Sequence, residues 1–260
     1  MNRAGITALR MGIIDNVLSN PLRGEASMLR TFSVVLTLVL SIGLAGNVPA
    51  EPSAGSDSTA GEVRLFNGRN LDGWDFFVID PGKKIEDVWS VRDGLLVTQG
   101  EPLGYLFTKG KYKNFRLTVE WRWEPGTEPG NSGVLLRIAG DPVSFLPKCV
   151  EAQLQSGSAG DIWAFYGAAL RGDPARFRKI TGHEKIGDFV GVGKIKAAEN
   201  PPGEWNRYEI ELVGPKLTLW INGQKVNEAE GLDVAAGPIG LQSEGGRIQF
   251  RTVTLKPLAD

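Results

Sequence analysis

The stretch Phe115–Trp123, which reads FRLTVEWRW, decides the fold class. Large apolar side chains occupy its odd-numbered positions, and polar ones, among them Glu120, occupy the even-numbered positions. Successive side chains of a β-strand point to opposite faces, so this pattern predicts one long strand with one face in the core. We therefore expect Trp121 and Trp123 in the core.

The same alternation recurs along the chain. It appears at 150–155, at 208–212 and near the C-terminus, where the apolar set slips by one residue between Phe250 and Val253, as a β-bulge would require. Tight hairpins are predicted at Asp93-Gly94 and Asn222-Gly223, because such dipeptides suit the turn that joins two antiparallel strands. The sequence therefore predicts an all-β fold, a two-sheet antiparallel sandwich or jelly roll.

The segment from Ser156 to Glu204 lacks this alternation of apolar and polar residues. It is rich in glycine, contains Pro174 and Pro201-Pro202, and shows only brief β-like runs. Irregular connections of such length favour a lid or a binding loop. Basic side chains outnumber acidic ones at 171–196, so an anion-contacting lid and a plain solvated loop both fit.

Residues 1–50 are expected to be a signal-peptide region. An apolar run at 31–46 follows Arg30, and Val48-Pro49-Ala50 resembles a small-residue cleavage site. The run is shorter than the roughly 20 residues that span a bilayer, so we expect no permanent membrane anchor. Met28 would open such a signal better than Met1 does.

Three regions result from this interpretation: the signal region at 1–50, a disordered Ser- and Gly-rich spacer at 51–61, and a folded domain at 62–260. The expected location of the folded domain is periplasmic or secreted.

Composition excludes several classes of function. The 260 residues carry 29 Lys and Arg against 30 Asp and Glu, so no nucleic-acid partner is indicated. Cys149 is the only cysteine and His183 the only histidine. An internal disulfide, a thiolate metal cluster and any site that needs two histidines are therefore excluded.

Polar side chains on three predicted strands form the strongest candidate site. Glu151 and Gln153 alternate with core residues on one strand, Gln242 and Glu244 do so on another, and Arg137 is placed on the same face. Two carboxylates, two carboxamides and a guanidinium suit a sugar, because these groups bind paired hydroxyls. The alternative is an ordinary solvated sheet face.

Four further residues are expected to contact the sugar. Asn131 leads into the strand of Arg137, and Trp163 is expected to stack on a sugar ring. His183 is a candidate general base or metal ligand. Glu120 completes this set of substrate contacts.

Eight short motifs succeed one another in the chain. They are Leu65-Phe66-Asn67-Gly68 with Leu71-Asp72-Gly73-Trp74, Trp89 to Gly94, Asn114 to Arg122, Asn131-Ser132-Gly133-Val134 with Arg137, Glu151-x-Gln153, Gly203-Glu204-Trp205-Asn206, Asn222-Gly223, and Gly240-Leu241-Gln242. In this order they resemble the 3-keto-disaccharide hydrolase domain family, over about Val63 to Leu258. The resemblance implies a fold similar to concanavalin A-like lectins and glucanases. Family members often carry an aspartate where this chain has Ser156-Gly157-Ser158.

The resemblance also implies an enzyme that cleaves the glycosidic bond of a 3-keto glycoside or disaccharide. A ketone at C3 acidifies the hydrogen on C2, so a base can remove it and expel the glycosidic oxygen from C1, after which water adds. On this basis Glu151 is expected to be the base and Arg137 or Gln242 to face the enolate oxygen. Glu244 is expected to orient the sugar or to protonate the leaving group.

Other interpretations stay open from the sequence alone. Glu151 and Glu244 could serve a direct two-carboxylate glycosidase, and the same fold class hosts non-catalytic lectin-like binders and interaction proteins of the envelope. No cofactor is predicted, although a divalent metal ion is compatible with elimination chemistry. The expected partner is a carbohydrate, and the sequence predicts no oligomeric state.

Overall fold

A computed structural model describes residues 61–259, which form sixteen strands and one helical turn. In chain order they are β1 (Val63–Arg64), β2 (Trp74–Val78), α1 (Ile85–Val88), β3 (Trp89–Arg92), β4 (Leu95–Thr98), β5 (Gly104–Thr108), β6 (Phe115–Trp123), β7 (Gly133–Ala139), β8 (Lys148–Gln153), β9 (Ile162–Phe165), β10 (Phe177–His183), β11 (Gly187–Val192), β12 (Asn206–Val213), β13 (Lys216–Ile221), β14 (Gln224–Ala229), β15 (Gly240–Ser243) and β16 (Ile248–Pro257). The expected signal region and residues 51–60 of the expected spacer lie outside the described residues. Within the described range, no helix has the length and apolar character needed to cross a membrane.

The strands form two antiparallel sheets, which confirms the all-β sandwich. The first sheet has the order β14-β13-β12-β6-β16-β4-β3, and β1 pairs with β16 beside this order. The second sheet has the order β10-β11-β9-β8-β7-β15-β5-β2. Strands β15, β7 and β8, which carry the predicted polar residues, are therefore neighbours in the second sheet.

The core lies between the two sheets and is built as the alternation predicts. The odd-numbered residues of β6 are almost completely buried, including Trp121 and Trp123, whose rings meet edge to face at 6.0 Å. Val150 and Ala152 of β8 and Leu241 of β15 join the same apolar cluster from the second sheet. Burial of this much apolar surface is the main force that holds the two sheets together.

The predicted local features of the strands are confirmed. Asp93, Gly94, Asn222 and Gly223 all have positive φ, as a two-residue turn between antiparallel strands requires. The pairing of β16 with β6 shifts between Phe250 and Thr252, which is the predicted bulge.

The segment 156–204 differs from the expectation, because it contains the strands β9, β10 and β11. All four residues of β9 are buried, whereas β10 is exposed or half-buried along its whole length. Neither strand has one solvent-exposed and one buried face, so the sequence of neither strand alternates between polar and apolar residues. The segment extends the second sheet instead of forming an irregular lid.

Candidate active site

The candidate site lies on the outer face of the second sheet, which faces away from the first sheet. Glu151 and Gln153 of β8 point to this face because their neighbours Val150 and Ala152 point to the core. Strand β7 lies between β8 and β15 and sets their register. Gly133 of β7 pairs with Gln153 of β8, and Val134 of β7 pairs with Leu241 of β15. Continuing this register places Gln242 opposite Gly133, so the predicted residues of β8 and β15 are brought together.

The Glu151 carboxyl lies against the backbone of β7 at Gly133. A Cβ atom at Gly133 would lie 1.8 Å from Oε1 of Glu151, so only glycine leaves room for this carboxyl. Glu151 is 2% exposed, and its Oε1 has no hydrogen-bond partner among the described residues. Burial raises the pKa of Glu151 well above its usual range, and the nearby Glu244 and Asp161 carboxyls raise it further. The environment of Glu151 therefore favours the protonated form of its carboxyl.

Glu244 is the second carboxyl of the site and lies just after β15. Burial raises the pKa of Glu244 to about 7, with a smaller rise from Glu101, while Lys185 and the amides of Asn131 and Gln242 lower it in part. Glu244 is half-buried, so it is the more accessible of the two carboxyls. A group with a pKa of about 7 is present in both protonation states near neutral pH.

The carboxamides of the site are held in different ways. Gln153 folds its Oε1 back onto the backbone N–H groups of Leu154 and Gln155, at 3.0 and 3.1 Å. Gln242 is fully buried, and neither its Nε2 nor its Oε1 has a partner of normal geometry in the described part of the chain. The Oδ1 of Asn131 is also without one. Because an unpaired buried polar group costs roughly 1–3 kcal/mol, Gln242 would gain from a polar ligand.

Aromatic side chains stand on both sides of this polar floor. On the β5 side, Tyr105 pairs with Gln242 in register and contacts Phe77 and Phe107, at ring distances of 5.8 and 5.5 Å. On the β9 side, Trp163 pairs with Glu151 and meets Phe189 edge to face at 5.4 Å.

The predicted residues Trp163 and His183 are both brought to the aromatic group on the β9 side. Trp163 belongs to the regular strand β9, not to a loop. His183, at the end of β10, meets Phe189 edge to face at 5.8 Å, and its Nδ1 has no partner among the described residues. His183 thus joins the aromatic side chains on the β9 side of the polar floor.

Arg137 is not part of this constellation, contrary to the sequence-based expectation. The pairing of β7 with β8 shifts between Leu136 and Ala139, and Arg137 has a positive φ of 55°. This bulge breaks the alternation and turns the guanidinium toward the carbonyl oxygens of Gly214 and Ala235. Arg137 therefore does not face the polar floor.

Glu120 is also separated from the other predicted residues. It belongs to β6 of the first sheet and points to the outer face of that sheet, opposite the buried set. Its carboxylate accepts two hydrogen bonds of 3.1 Å from Arg251 and one from Thr252. Glu120 therefore forms a surface ion pair on the first sheet and does not belong to the polar floor of the second.

Sequence reasoning missed four residues that shape the site. Tyr105 could have been found, because it alternates with the core residue Leu106 on β5. Gly133 lies in one of the eight motifs, but its steric role depends on the partner strand. Lys185 and Asp161 act on the carboxyls from chain segments whose position no local pattern reveals.

The turn Ser156-Gly157-Ser158 receives a carboxylate from elsewhere in the chain. Gly157 N–H donates a hydrogen bond of 3.0 Å to Oε2 of Glu199, and burial raises the pKa of Glu199.

Across residues 61–259, His, Cys, Asp and Glu side chains form no group of three or more that could hold a metal ion.

Comparisons with known proteins agree with this architecture. A family model described as the 3-keto-alpha-glucoside-1,2-lyase-like domain matches residues 61–256. No curated protein sequence matches the chain significantly.

Several solved structures share the fold. A candidate glycosyl hydrolase from Parabacteroides distasonis ATCC 8503 is 21% identical with a TM-score of 0.54, and the match covers 76% of this chain and 95% of that one. A second candidate glycosyl hydrolase from the same organism is 23% identical with a TM-score of 0.53, covering 76% and 99%. The carbohydrate-binding module CBM66 from Bacillus subtilis is 11% identical with a TM-score of 0.51, covering 71% and 95%. At these identities the likeness concerns the fold alone.

Proposed function

Because the chain belongs to the family of 3-keto-alpha-glucoside-1,2-lyase-like domains, we propose that it cleaves the glycosidic bond of a 3-keto glycoside. The reaction removes the C2 proton, expels the glycosidic oxygen from C1 and then adds water across the C1–C2 double bond. The observation that carries this proposal is a pair of buried or half-buried carboxyls, Glu151 and Glu244, which share the face with the buried amide of Gln242 and both have a raised pKa.

Glu244 is the proposed base. A general base works best when its pKa lies near the working pH, because it is then ionised often enough and still binds the proton firmly. The pKa of about 7 and the half-buried position of Glu244 meet both requirements. Lys185 lowers this pKa and so favours the ionised form.

Glu151 is the proposed proton donor. A carboxyl that stays protonated at neutral pH can donate a hydrogen bond to a developing oxyanion, or a proton to a leaving oxygen. The buried Glu151 suits this role better than the role of base that the sequence suggested. The Nε2–H groups of Gln242 supply a second donor toward the C3 oxygen, where negative charge develops in the enolate.

The surroundings of the carboxyls support a sugar as the ligand. Tyr105 and Trp163 border the floor with aromatic surface that can pack on the C–H face of a pyranose ring. Asn131 and Gln242 offer amide groups with unused hydrogen-bonding capacity to hydroxyls and to the ketone.

The decisive experiment compares two substrates that differ by one oxidation. The purified domain is incubated with a 3-keto-glucoside and, in parallel, with the parent glucoside, and sugar release is followed. Elimination requires the ketone, so we expect release from the 3-keto-glucoside only. Equal release from both would indicate a direct two-carboxylate glycosidase, and binding without release would indicate a lectin-like protein.

The same reaction in D₂O tests the chemical path. Addition of water to the C1–C2 double bond places a solvent deuteron on C2, so early product should carry deuterium at that carbon beyond an enzyme-free control. Direct hydrolysis would leave the C2 hydrogen in place. Product mass and proton NMR distinguish the two outcomes.

Two variants and a matched control test the residue roles. Glu244→Gln and Glu151→Gln should each lower kcat/KM at least 10²-fold, which corresponds to about 2.7 kcal/mol of transition-state stabilisation. Glu120→Gln makes the same change on the other sheet and should keep full activity. Full turnover by Glu244→Gln would remove Glu244 from the role of base.

A further inference from the structure

A cavity of about 240 Å³ lies apart from the candidate site, on the side of the second sheet that carries Val150. It is lined by Arg137, Lys148 and Asp233, together with small apolar residues that leave the space open: Ala139, Val150, Ala168, Ala169 and Ala235. The bulge in β7 is what aims Arg137 into this cavity and away from the carboxyls.

Arg137 lines the cavity and has hydrogen-bonding capacity that the described residues do not use. It is 7% exposed, and two of its terminal N–H groups donate to the carbonyl oxygens of Gly214 and Ala235. The Nε–H has no partner among the described residues. A guanidinium carries five N–H donors, and the hydrogen bonds to Gly214 and Ala235 account for two of them.

The charges around the cavity leave an excess of positive charge. Asp233 forms an ion pair of 3.0 Å with Lys148 at the rim, and this contact is the first cause of its lowered pKa. Arg137 has no ion-pair partner within 4.0 Å in the described part of the chain, although Asp233 acts on it from a longer distance. A buried guanidinium without a close counter-ion gains from a bound anion, because buried charges are costly unless paired.

The volume of the cavity limits the size of that anion. Ligand pockets for larger molecules occupy about 300–1,000 Å³, and one water accounts for about 30 Å³ of the liquid. A cavity of about 240 Å³ therefore suits a small oxyanion and not a disaccharide. We propose that this Arg137 cavity binds a small oxyanion, a short carboxylate or inorganic phosphate, through the Arg137 guanidinium with Lys148 at the rim.

The test is a titration of the domain with sodium acetate and, separately, with sodium phosphate, with ionic strength held constant by sodium chloride. The ¹⁵Nε resonance of Arg137 and the thermal unfolding midpoint are followed, so the readout does not depend on catalysis. We expect at least one of the two anions to shift both observables saturably at millimolar concentration. Whichever anion does so identifies the chemistry of the site.

Three variants separate the cavity from general salt effects. Ala168→Leu places a larger apolar side chain in the cavity and should abolish the saturable shift. Lys148→Met should weaken binding about fivefold, the effect of a partly exposed charge. Lys225→Met removes an equally exposed charge on the outer face of the first sheet and should titrate like the unaltered protein.

Two results would overturn the proposal. One is the absence of a saturable shift with either anion up to 100 mM, about two orders of magnitude above a dissociation constant of about 1 mM. The other is a normal titration by Ala168→Leu, because an anion that still binds would occupy another place on the protein.

Discussion

Replacing Gly133 by alanine should disable the candidate site through one methyl group. The new Cβ would lie 1.8 Å from Oε1, 2.6 Å from Cδ and 2.7 Å from Cγ of Glu151. Ordinary van der Waals contact begins at about 3.4 Å, so the carboxyl must retreat by about 1.6 Å. The backbone of β7 at Gly133 has no positive φ and would tolerate alanine, so the clash with Glu151 is the expected cause of any loss.

The size of the effect can be worked out from this displacement. A misplacement of about 1 Å can cost about 10²-fold in rate, so kcat/KM on a 3-keto-glucoside should fall at least that far, or by about 2.7 kcal/mol. Overpacking of this kind also lowers the free energy of unfolding by about 1–3 kcal/mol. Initial rates and urea unfolding of the same preparation measure both quantities.

A double-mutant cycle with Glu151→Asp isolates the clash. Aspartate is shorter by one CH₂ group and leaves space for the new methyl, so Gly133→Ala should cost less than about tenfold in that background, and the two changes should be clearly non-additive. Gly82→Ala, in an exposed loop without positive φ, controls for the added methyl itself. An equal cost of Gly133→Ala in both backgrounds would refute the steric reasoning.

Four further outcomes are expected. The kcat/KM should rise with pH through about 7 and level off above it, because Glu244 must be ionised to act as base, and the rise should be missing in Glu244→Gln. The folded state binds the protons of Glu151 and Glu244 more tightly than the unfolded chain does, so proton binding stabilises the fold fully below about pH 4.5. The part due to Glu244 is lost as the pH rises to about 7. The urea midpoint should therefore fall between pH 4.5 and 7, and it should fall less in Glu244→Gln. Glu120→Gln should lower the free energy of unfolding by up to about 1 kcal/mol, measured in urea, because Glu120 holds Arg251 at a partly exposed position, while activity stays unchanged. If residues 1–50 act as a cleaved signal, N-terminal sequencing of the exported protein should begin at Glu51, and a start well upstream would contradict it.

The strands that can be predicted from the sequence are those with one solvent-exposed and one buried face. The strand β6 is recognisable because Arg116, Thr118, Glu120 and Arg122 face outward while their neighbours fill the core. The strand β9 is buried on both faces and β10 is largely exposed on both, so the period-two signal vanishes although the strands exist. Sheet position, not local propensity, decides this difference.

The candidate site was predictable to a similar extent. Strict alternation placed Glu151, Gln153, Gln242 and Glu244 on the face where the structure has them, and it failed at Arg137. A bulge adds one residue to a strand and reverses the facing of the residues after it, and neither immediate neighbour of Arg137 is a glycine or proline that would mark it. The raised pKa values of the two carboxyls depend on burial by distant segments, which a linear pattern does not encode.

The position of β16 bears on when the chain can fold. This last strand lies inside the first sheet, where it pairs with β6, β4 and β1. The first sheet therefore forms only when β16 meets strands that lie far from it in sequence, and such pairings form slowly.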